Sequence, residues 1–341
     1  MTRVAVVSPE PTPYRTPLFD RIAERPEVEL TVFYAARTVV GRTWNVELRH
    51  RAVFLSGPTL PGVRRLLRHD YPLTFGVFGA LRTARPDVVV VSGWSTFAAQ
   101  AALAWSRARR VPYVLLVESH DVGPRAPWRR AVKGAVVPRL VSGARGFLAV
   151  GTLARDSLVA RGAPPERIGI FANTIDVDRW LERARTLQPA PHDDVAVLSV
   201  GRDIPEKGFD VLHDACVRAG VRLALVTGGL DEPALAQRYV DADVFALLSR
   251  HETWGVVVNE AAASGLPLVL SDRVGAAYDL LRDGENGFLV PAEDADAAAD
   301  ALRKLAADAE LRRAMGERSR ELVRPWNYDA SVEAFLAATS V

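Results

Sequence analysis

The chain has 341 residues, of which 49% are hydrophobic and 25% are charged. These proportions are typical of a globular protein and exclude disorder over most of the chain. No stretch approaches the roughly 18 uncharged apolar residues of a membrane-spanning helix, and the start of the sequence lacks the features of a signal peptide. The single cysteine, Cys216, excludes a disulfide framework and any multi-cysteine metal site. We therefore expect a cytoplasmic protein.

The net charge is only +2, but the charges are unevenly distributed. Residues 1–175 contain 25 basic and 12 acidic residues, whereas residues 176–341 contain 18 and 29. Such an asymmetry indicates two units with different partners. All but three of the 43 basic residues are arginine, which together with the alanine richness indicates a GC-rich bacterial genome.

Short β-branched runs alternate with helical stretches from one end of the chain to the other. Several runs, such as residues 88–91, are continuously apolar, which is typical of parallel strands buried on both faces. The alternation predicts an α/β protein with doubly wound parallel sheets. The predicted strands are residues 3–8, 29–35, 87–92, 113–118, 146–150, 167–172, 195–200, 222–227, 243–249, 267–271 and 287–290.

The domain boundary is predicted where the helical and strand periodicity is weakest. That segment, residues 177–194, coincides with the switch in charge and includes the proline-containing run 188–194, so we interpret it as a linker. It divides the chain into two Rossmann-like domains, residues 1–176 and 195–325, that face each other across a cleft. Residues 326–341 are expected to form a helix that returns to the first domain.

The first group of candidate site residues follows the predicted strand 195–200. Here Arg202 and Lys207 lie five positions apart, beside the start of a helix. Guanidinium and ammonium groups bind phosphate oxygens, and a helix N-terminus adds partial positive charge. The pair therefore suits a diphosphate, although two solvated cations in a surface turn would give the same pattern. No Walker-type glycine run is present.

The second group follows the predicted strand 243–249. A loop contains Glu252, and a helix is predicted from Gly255 to Gly265 with Glu260 one turn inside it. Gly255 permits a ligand to approach the helix start closely, and carboxylates accept hydrogen bonds from sugar or ribose hydroxyls. A helix cap and a solvent-exposed glutamate would explain the two carboxylates equally well.

Taken together, these motifs resemble the retaining glycosyltransferases of family four, which have the GT-B fold. The resemblance rests on Gly-Arg-x-x-x-x-Lys-Gly at 201–208, on Glu-x7-Glu at 252–260 with its continuation to Pro267, on 283–290, and on 164–168 followed by Asn173-Thr174-Ile175-Asp176. It extends over about residues 145–330.

The resemblance implies a role for each group. Arg202 and Lys207 would hold the donor diphosphate together with the backbone N–H groups of Gly255, Val256 and Val257. Glu260 would bind the ribose, whereas Glu252 and His120 would act at the transferred sugar, and no metal or other cofactor is expected. The Asp-Ala-Asp triplets at 241–243 and 294–296 are interpreted as structural.

Two departures from the family pattern concern the acceptor and the nucleotide base. The usual Gly-Gly loop after the first strand is replaced by the proline-rich residues 9–15, and only 11 residues separate Gly229 from Asp241. The shorter second segment omits a strand whose loop helps to hold the base in the family, so donor binding could be impaired. Candidate acceptor or cleft residues are Tyr14, Arg15, Trp94 and Asn173.

The predicted activity is transfer of a hexose-type sugar, with retention, from a UDP- or GDP-sugar to a saccharide, lipid-linked glycan or secondary metabolite. A nucleotide-sugar epimerase, a glycosyl phosphorylase and a non-catalytic sugar-nucleotide-binding partner subunit remain alternatives. A Rossmann dehydrogenase is disfavoured because no Gly-x-Gly-x-x-Gly follows a strand.

The basic first half has two explanations. Residues 128–140 combine basic and apolar positions and could form a helix on the anionic inner face of a membrane, near a lipid-linked acceptor. Solvated arginine-rich faces, which would include Arg64 and Arg65, explain the composition equally well. Nucleic-acid binding is disfavoured because no interleaved basic and aromatic motif is present.

Overall fold

Two parallel β-sheets, each flanked by helices, form the chain. A computed structural model describes residues 1–38, 46–58, 71–123 and 127–340, with the backbone alone for 127–132. Arg64, Arg65 and, within the segment 128–140, the side chains of 128–132 therefore lie outside the described residues. The first sheet has the order β3-β2-β1-β4-β5-β6-β7 and the second β12-β11-β10-β8-β9. The predicted GT-B class of α/β fold is confirmed.

The strands are β1 (Thr2–Ser8), β2 (Val28–Tyr34), β3 (Arg51–Phe54), β4 (Val88–Ser92), β5 (Tyr113–Val117), β6 (Gly146–Ala149), β7 (Ile168–Ile170), β8 (Ala196–Val200), β9 (Arg222–Val226), β10 (Val244–Leu247), β11 (Leu268–Ser271) and β12 (Gly287–Val290). The helices are α1 (Thr16–Ala23), α2 (Val77–Ala84), α3 (Phe97–Arg109), α4 (Pro127–Ser142), α5 (Thr152–Val159), α6 (Val177–Thr186), α7 (Phe209–Ala219), α8 (Glu232–Val240), α9 (Val256–Ser264), α10 (Ala277–Leu280), α11 (Ala295–Ala307), α12 (Ala309–Val323) and α13 (Tyr328–Thr339).

The predicted strands are all present, and the central strands of each sheet are buried on both faces. Every residue of β4 and β5 is buried, for example. Strand β3 was missed by the sequence analysis. It is a four-residue edge strand with no fully buried residue, although residues 52–55 form a short apolar run.

The predicted linker at 177–194 is wrong over its first ten residues, which form α6. The carboxylate of Asp176 caps this helix by accepting a hydrogen bond from the N–H of Arg179 at 3.2 Å. Val177, Trp180, Leu181 and Ala184 are buried at helical spacing. Residues 188–194 have no helix or strand, so the stretch without regular structure is shorter than predicted.

The last helix packs on the first sheet rather than on the second. Helix α13 contacts β6, β7 and α1, and the hydroxyl of Ser331 accepts a hydrogen bond from the N–H of Ala172 at 3.1 Å. An ion pair at 2.6 Å joins Arg25 to Glu333. The chain therefore crosses between the two sheets a second time, after α12.

Candidate active site

The loop after β8 is held against the end of β10 by a glycine. Gly208 has φ +63°, and a Cβ atom added there would lie 2.3 Å from the carbonyl oxygen of Leu248. Only glycine combines this left-handed backbone with so close an approach. As a result Lys207, directly before Gly208, lies beside the loop that follows β10, and α7 begins at the next residue.

Lys207 and Glu252 form an ion pair between these two loops. Their side chains are only 15% and 19% exposed, so water weakens their attraction less than at a fully exposed surface. The aliphatic stem of Lys207 lies over Gly201, whose added Cβ would be 3.0 Å from the Lys207 Cε. Arg202 is exposed and has no ion-pair partner among the described residues, so its guanidinium is available to a ligand.

Helix α9 starts beside this ion pair. Gly255, at its N-cap, has φ +96°, and an added Cβ would lie 3.3 Å from the Cγ of Glu252. The N–H groups in the first turn of a helix have no partner within the helix, and the dipole makes this end partly positive. The N-terminus at Val256 and Val257 can thus bind an anion near Lys207.

Glu260 lies one turn further along α9, where the side chain of Tyr239 covers it. The fully buried Tyr239 hydroxyl donates a hydrogen bond to Glu260 Oε2 at 2.7 Å. Burial raises the pKa of Glu260 to about 7, although this hydrogen bond acts in the opposite direction. The sequence analysis missed Tyr239, which is an isolated aromatic residue in a helix and has no motif around it.

His120 connects the two domains at this site. Its side chain is buried after β5, and Nε2 lies 3.0 Å from the backbone carbonyl oxygen of Glu252. The next residue, Asp121, forms ion pairs with Lys133 at 2.9 Å and Arg161 at 2.6 Å. Burial alone would raise the pKa of Asp121, but the hydrogen bonds from Arg161 and Lys133 lower it below its usual range. These bonds fix the loop that positions His120.

The four candidate acceptor residues fall into two classes. Arg15 and Asn173 are buried and hydrogen-bonded to each other, so they support the cleft wall. Tyr14 and Trp94 are half-buried, and the Lys133 ammonium lies 5.6 Å from the centre of a Trp94 ring. The structure therefore brings Lys207, Glu252, Gly255 and His120 together in one group, and it separates Arg15 and Asn173 into a second.

Two family models match the chain. The model described as a glycosyl transferase 4-like domain matches residues 3–174, and that described as glycosyl transferases group 1 matches residues 224–322. The phosphatidyl-myo-inositol mannosyltransferase of Mycobacterium leprae is 31% identical over 77% of this chain and 72% of its own length. The chain belongs to the group 1 glycosyltransferases of family four.

Other members of this glycosyltransferase family are similar over smaller portions. The GDP-mannose-dependent alpha-mannosyltransferase of Mycobacterium tuberculosis is 31% identical over 64% of each chain, and the lipopolysaccharide core biosynthesis glycosyltransferase LpsE of Rhizobium meliloti is 31% identical over 50% of this chain and 56% of its own length. The chain thus matches less than two thirds of the length of these relatives. The Anabaena HepE structure with UDP and glucose has the same fold, with a TM-score of 0.71 at 15% identity and full coverage of both chains.

The short segment between Gly229 and Asp241 leaves β9 at the edge of the second sheet of this family member. Helix α8 connects β9 directly to β10, and Leu225 on β9 is 43% exposed. A groove of about 640 Å³ runs along this edge from Arg222 to Gly228. The short segment is therefore accompanied by an open groove along this edge of the second sheet.

Neither Asp-Ala-Asp triplet contributes to a metal site in the part of the chain that is described. Asp243 accepts a hydrogen bond from the N–H of Ala196, and Asp294 caps α11. Within the described ranges, no group of three or more His, Cys, Asp or Glu residues could hold a metal ion. No described helix is both long and apolar enough to cross a membrane.

Proposed function

We propose that this chain transfers a hexose-type sugar from a UDP- or GDP-sugar to an acceptor hydroxyl of a saccharide, lipid-linked glycan or secondary metabolite, with retention and without a metal. The observation that carries the proposal is the contact between Lys207 and Glu252 beside the start of α9. It supports the proposal because an ammonium suited to a phosphate lies next to a carboxylate suited to sugar hydroxyls.

The donor diphosphate would bind between the two loops of the second domain. Arg202 offers two parallel N–H donors and Lys207 a compact charge, and the first-turn N–H groups of Val256 and Val257 add a third source of positive potential. These charges stabilise a leaving nucleoside diphosphate, which is the task that a metal performs in other transferases.

The two carboxylates would bind different hydroxyl groups of the donor. Glu252 is near Lys207 and the buried His120, and would accept hydrogen bonds from the transferred sugar. One carboxylate oxygen of Glu260 accepts a hydrogen bond from Tyr239, and the carboxylate would also accept hydrogen bonds from the ribose hydroxyls. The arrangement follows the order of sugar, diphosphate and ribose along a nucleotide sugar.

The retaining course is proposed from the resemblance to the family. The bond between the sugar C1 and the diphosphate oxygen breaks, and the acceptor oxygen forms its bond to C1 on the same face. The acceptor proton passes to the departing phosphate oxygen. The residues named above position and stabilise the charges, and no covalent link to the protein is needed.

A cytoplasmic location at the inner face of a membrane would suit a lipid-linked acceptor. The excess of basic residues in residues 1–175 supports this peripheral contact, since an anionic surface attracts clustered basic side chains.

A thermal-shift panel of UDP, GDP, TDP, ADP and CDP tests the donor site. A nucleotide at 100 times its dissociation constant adds about 2.7 kcal/mol of stability, and we expect one nucleotide to raise the Tm of the wild type but not of Arg202→Ala. Arg185→Ala is the matched control, because Arg185 is also exposed and has no ion-pair partner in the described chain. A panel with no stabilising nucleotide would refute the proposal, and binding without transfer would favour a non-catalytic partner subunit.

A further inference from the structure

The first-domain side of the cleft contains a second charged group built around a buried arginine. The Arg15 side chain is 5% exposed, and its Nη2 atom lies 2.8 Å from Glu118 Oε1. The same nitrogen donates a hydrogen bond to the side-chain oxygen of Asn173, which is also buried. The three residues follow β1, β5 and β7, so they meet at the carboxyl-terminal edge of the sheet, where open α/β sheets bind ligands.

Exposure differs sharply among the three residues. Arg15 and Asn173 are enclosed, whereas the Glu118 side chain is 36% exposed. One of its oxygens is fixed by Arg15, and no described residue hydrogen-bonds the other, Oε2. A buried guanidinium is costly unless it is paired, and here the pairing also orients a carboxylate whose second oxygen is available to solvent.

Glu118 is close in sequence to the donor side. It lies two residues before His120, whose Nε2 is 3.0 Å from the carbonyl oxygen of Glu252. Strand β5 ends at Val117, so Glu118 and His120 belong to the same short loop at the cleft. The oriented carboxylate is therefore on the first-domain face opposite the loop that we assign to the transferred sugar.

We propose that Glu118 recognises the acceptor, and that Arg15 and Asn173 are positioning residues for it. This inference rests on the proposed function. The outward oxygen accepts a hydrogen bond from a hydroxyl of a neutral polyhydroxylated acceptor, a sugar or a cyclitol. Since the carboxylate repels anions at short range, an acceptor with a carboxylate or phosphate next to the reacting hydroxyl is disfavoured.

The test measures acceptor kinetics of the full chain. The donors are hexose-type nucleotide sugars that contain the nucleotide selected by the thermal-shift panel. The acceptor probes are methyl α-D-glucopyranoside, methyl α-D-mannopyranoside, methyl α-D-galactopyranoside and myo-inositol. Glu118→Gln keeps the shape of the side chain, and we expect it to raise the acceptor KM about ten-fold or more while the Kd of the nucleoside diphosphate changes less than about two-fold. Asp87→Asn is the matched control, because Asp87 is a carboxylate paired with Arg3 at 2.6 Å at the start of β4.

Each outcome decides between roles. If Glu118 were only the counter-ion of Arg15, Glu118→Gln would lower the Tm and leave the acceptor KM of the folded protein unchanged, and that result overturns the proposal. Should Glu118→Gln fail to fold, Glu118→Asp, which shortens the side chain and keeps its charge, must raise the acceptor KM without changing nucleotide affinity. A wild type that binds nucleotide but transfers to none of the probes overturns the acceptor class, whereas a wild type that binds no nucleotide refutes the donor site instead.

Discussion

Asp279 of the second domain caps a helix of the first domain. Its carboxylate accepts hydrogen bonds from the N–H of Thr152 at 3.0 Å and from the Thr152 hydroxyl at 2.6 Å, and Thr152 is the first residue of α5. The preceding Gly151 leaves room for this contact, since an added Cβ would lie 2.6 Å from Asp279 and 2.3 Å from the Trp254 ring. One carboxylate thus helps to fix the orientation of the two domains.

We expect Asp279→Ala to reduce both stability and sugar transfer. Loss of a helix cap costs about 1–2 kcal/mol, to be measured by urea unfolding, and the domains lose a bond that aligns the two sides of the cleft. Asp294→Ala is the matched control, because Asp294 caps α11 within the second domain by accepting from the Ala297 N–H at 2.9 Å. Equal losses of turnover in the two variants would contradict a role for Asp279 in domain alignment.

Gly208→Ala should damage the donor site, whereas Gly220→Ala should not. Both glycines have left-handed backbone conformations, with φ of +63° and +69°, so an alanine at either position costs about 1–2 kcal/mol. The added Cβ meets the Leu248 carbonyl at 2.3 Å in the first case and nothing within 4 Å in the second. We expect Gly208→Ala to lose more of the free energy of unfolding, measured with urea, than Gly220→Ala does. Only Gly208→Ala should also bind the nucleotide more weakly in calorimetry. Equal stability of the two variants would show that the loop accommodates the methyl group.

The sequence predicted the strands better than the short or polar elements. Strands such as β4 and β10 are buried along their whole length, whereas the edge strand β3 has only a short apolar run and no fully buried residue. The linker prediction over α6 rests on weak periodicity and on the switch in charge, although the spacing of Val177, Trp180, Leu181 and Ala184 matches one buried face of a helix.

In the candidate site, too, some contacts could be predicted from the sequence and others could not. The proximity of Lys207 and Glu252 follows from the topology, since β8 and β10 are neighbours in the sheet and residues after parallel strands meet at one edge. The hydrogen bond from Tyr239 to Glu260 joins two helices, and the pairing of Arg15 with Glu118 joins two loops. Neither side-chain contact has a spacing in the sequence that could predict it.

Glu260 should make stability depend on pH. Its pKa rises from an ordinary 4.5 to about 7 in the folded protein, so its contribution to stability is complete below pH 4.5 and is lost as the pH rises through 7. We expect the free energy of unfolding of the wild type, relative to Glu260→Gln, to fall by about 1 kcal/mol or more between pH 5 and pH 8. Urea unfolding at both values measures it.

The control for this prediction is Glu182→Gln, which replaces an exposed glutamate of α6. Its stability relative to the wild type should not change over the same pH range. If the difference in the free energy of unfolding between the wild type and Glu260→Gln were the same at pH 5 and pH 8, the Glu260 carboxyl would titrate at its ordinary pKa in the folded protein.

The ion pair between Lys207 and Glu252 predicts that removing the charge of Glu252 and removing that of Lys207 have opposite effects on nucleotide binding. A diphosphate must compete with Glu252 for the Lys207 ammonium, so Glu252→Gln should bind the nucleoside diphosphate as tightly as the wild type or more tightly, while sugar transfer falls by about 10- to 150-fold. Lys207→Met keeps the stem over Gly201 but lacks the charge, and it should weaken both nucleotide binding and transfer. Calorimetry and turnover separate the two effects.

Lys304→Met is the control for loss of a lysine, because Lys304 is exposed and its ammonium lies 5.4 Å from the centre of the Phe288 ring, outside both donor loops. It should keep wild-type nucleotide affinity and turnover. If Glu252→Gln weakened nucleotide binding as much as Lys207→Met does, the carboxylate would be needed to hold the lysine in place for the phosphate. Glu252 would then be a positioning residue for Lys207, and the assignment of its oxygens to the transferred sugar would be wrong.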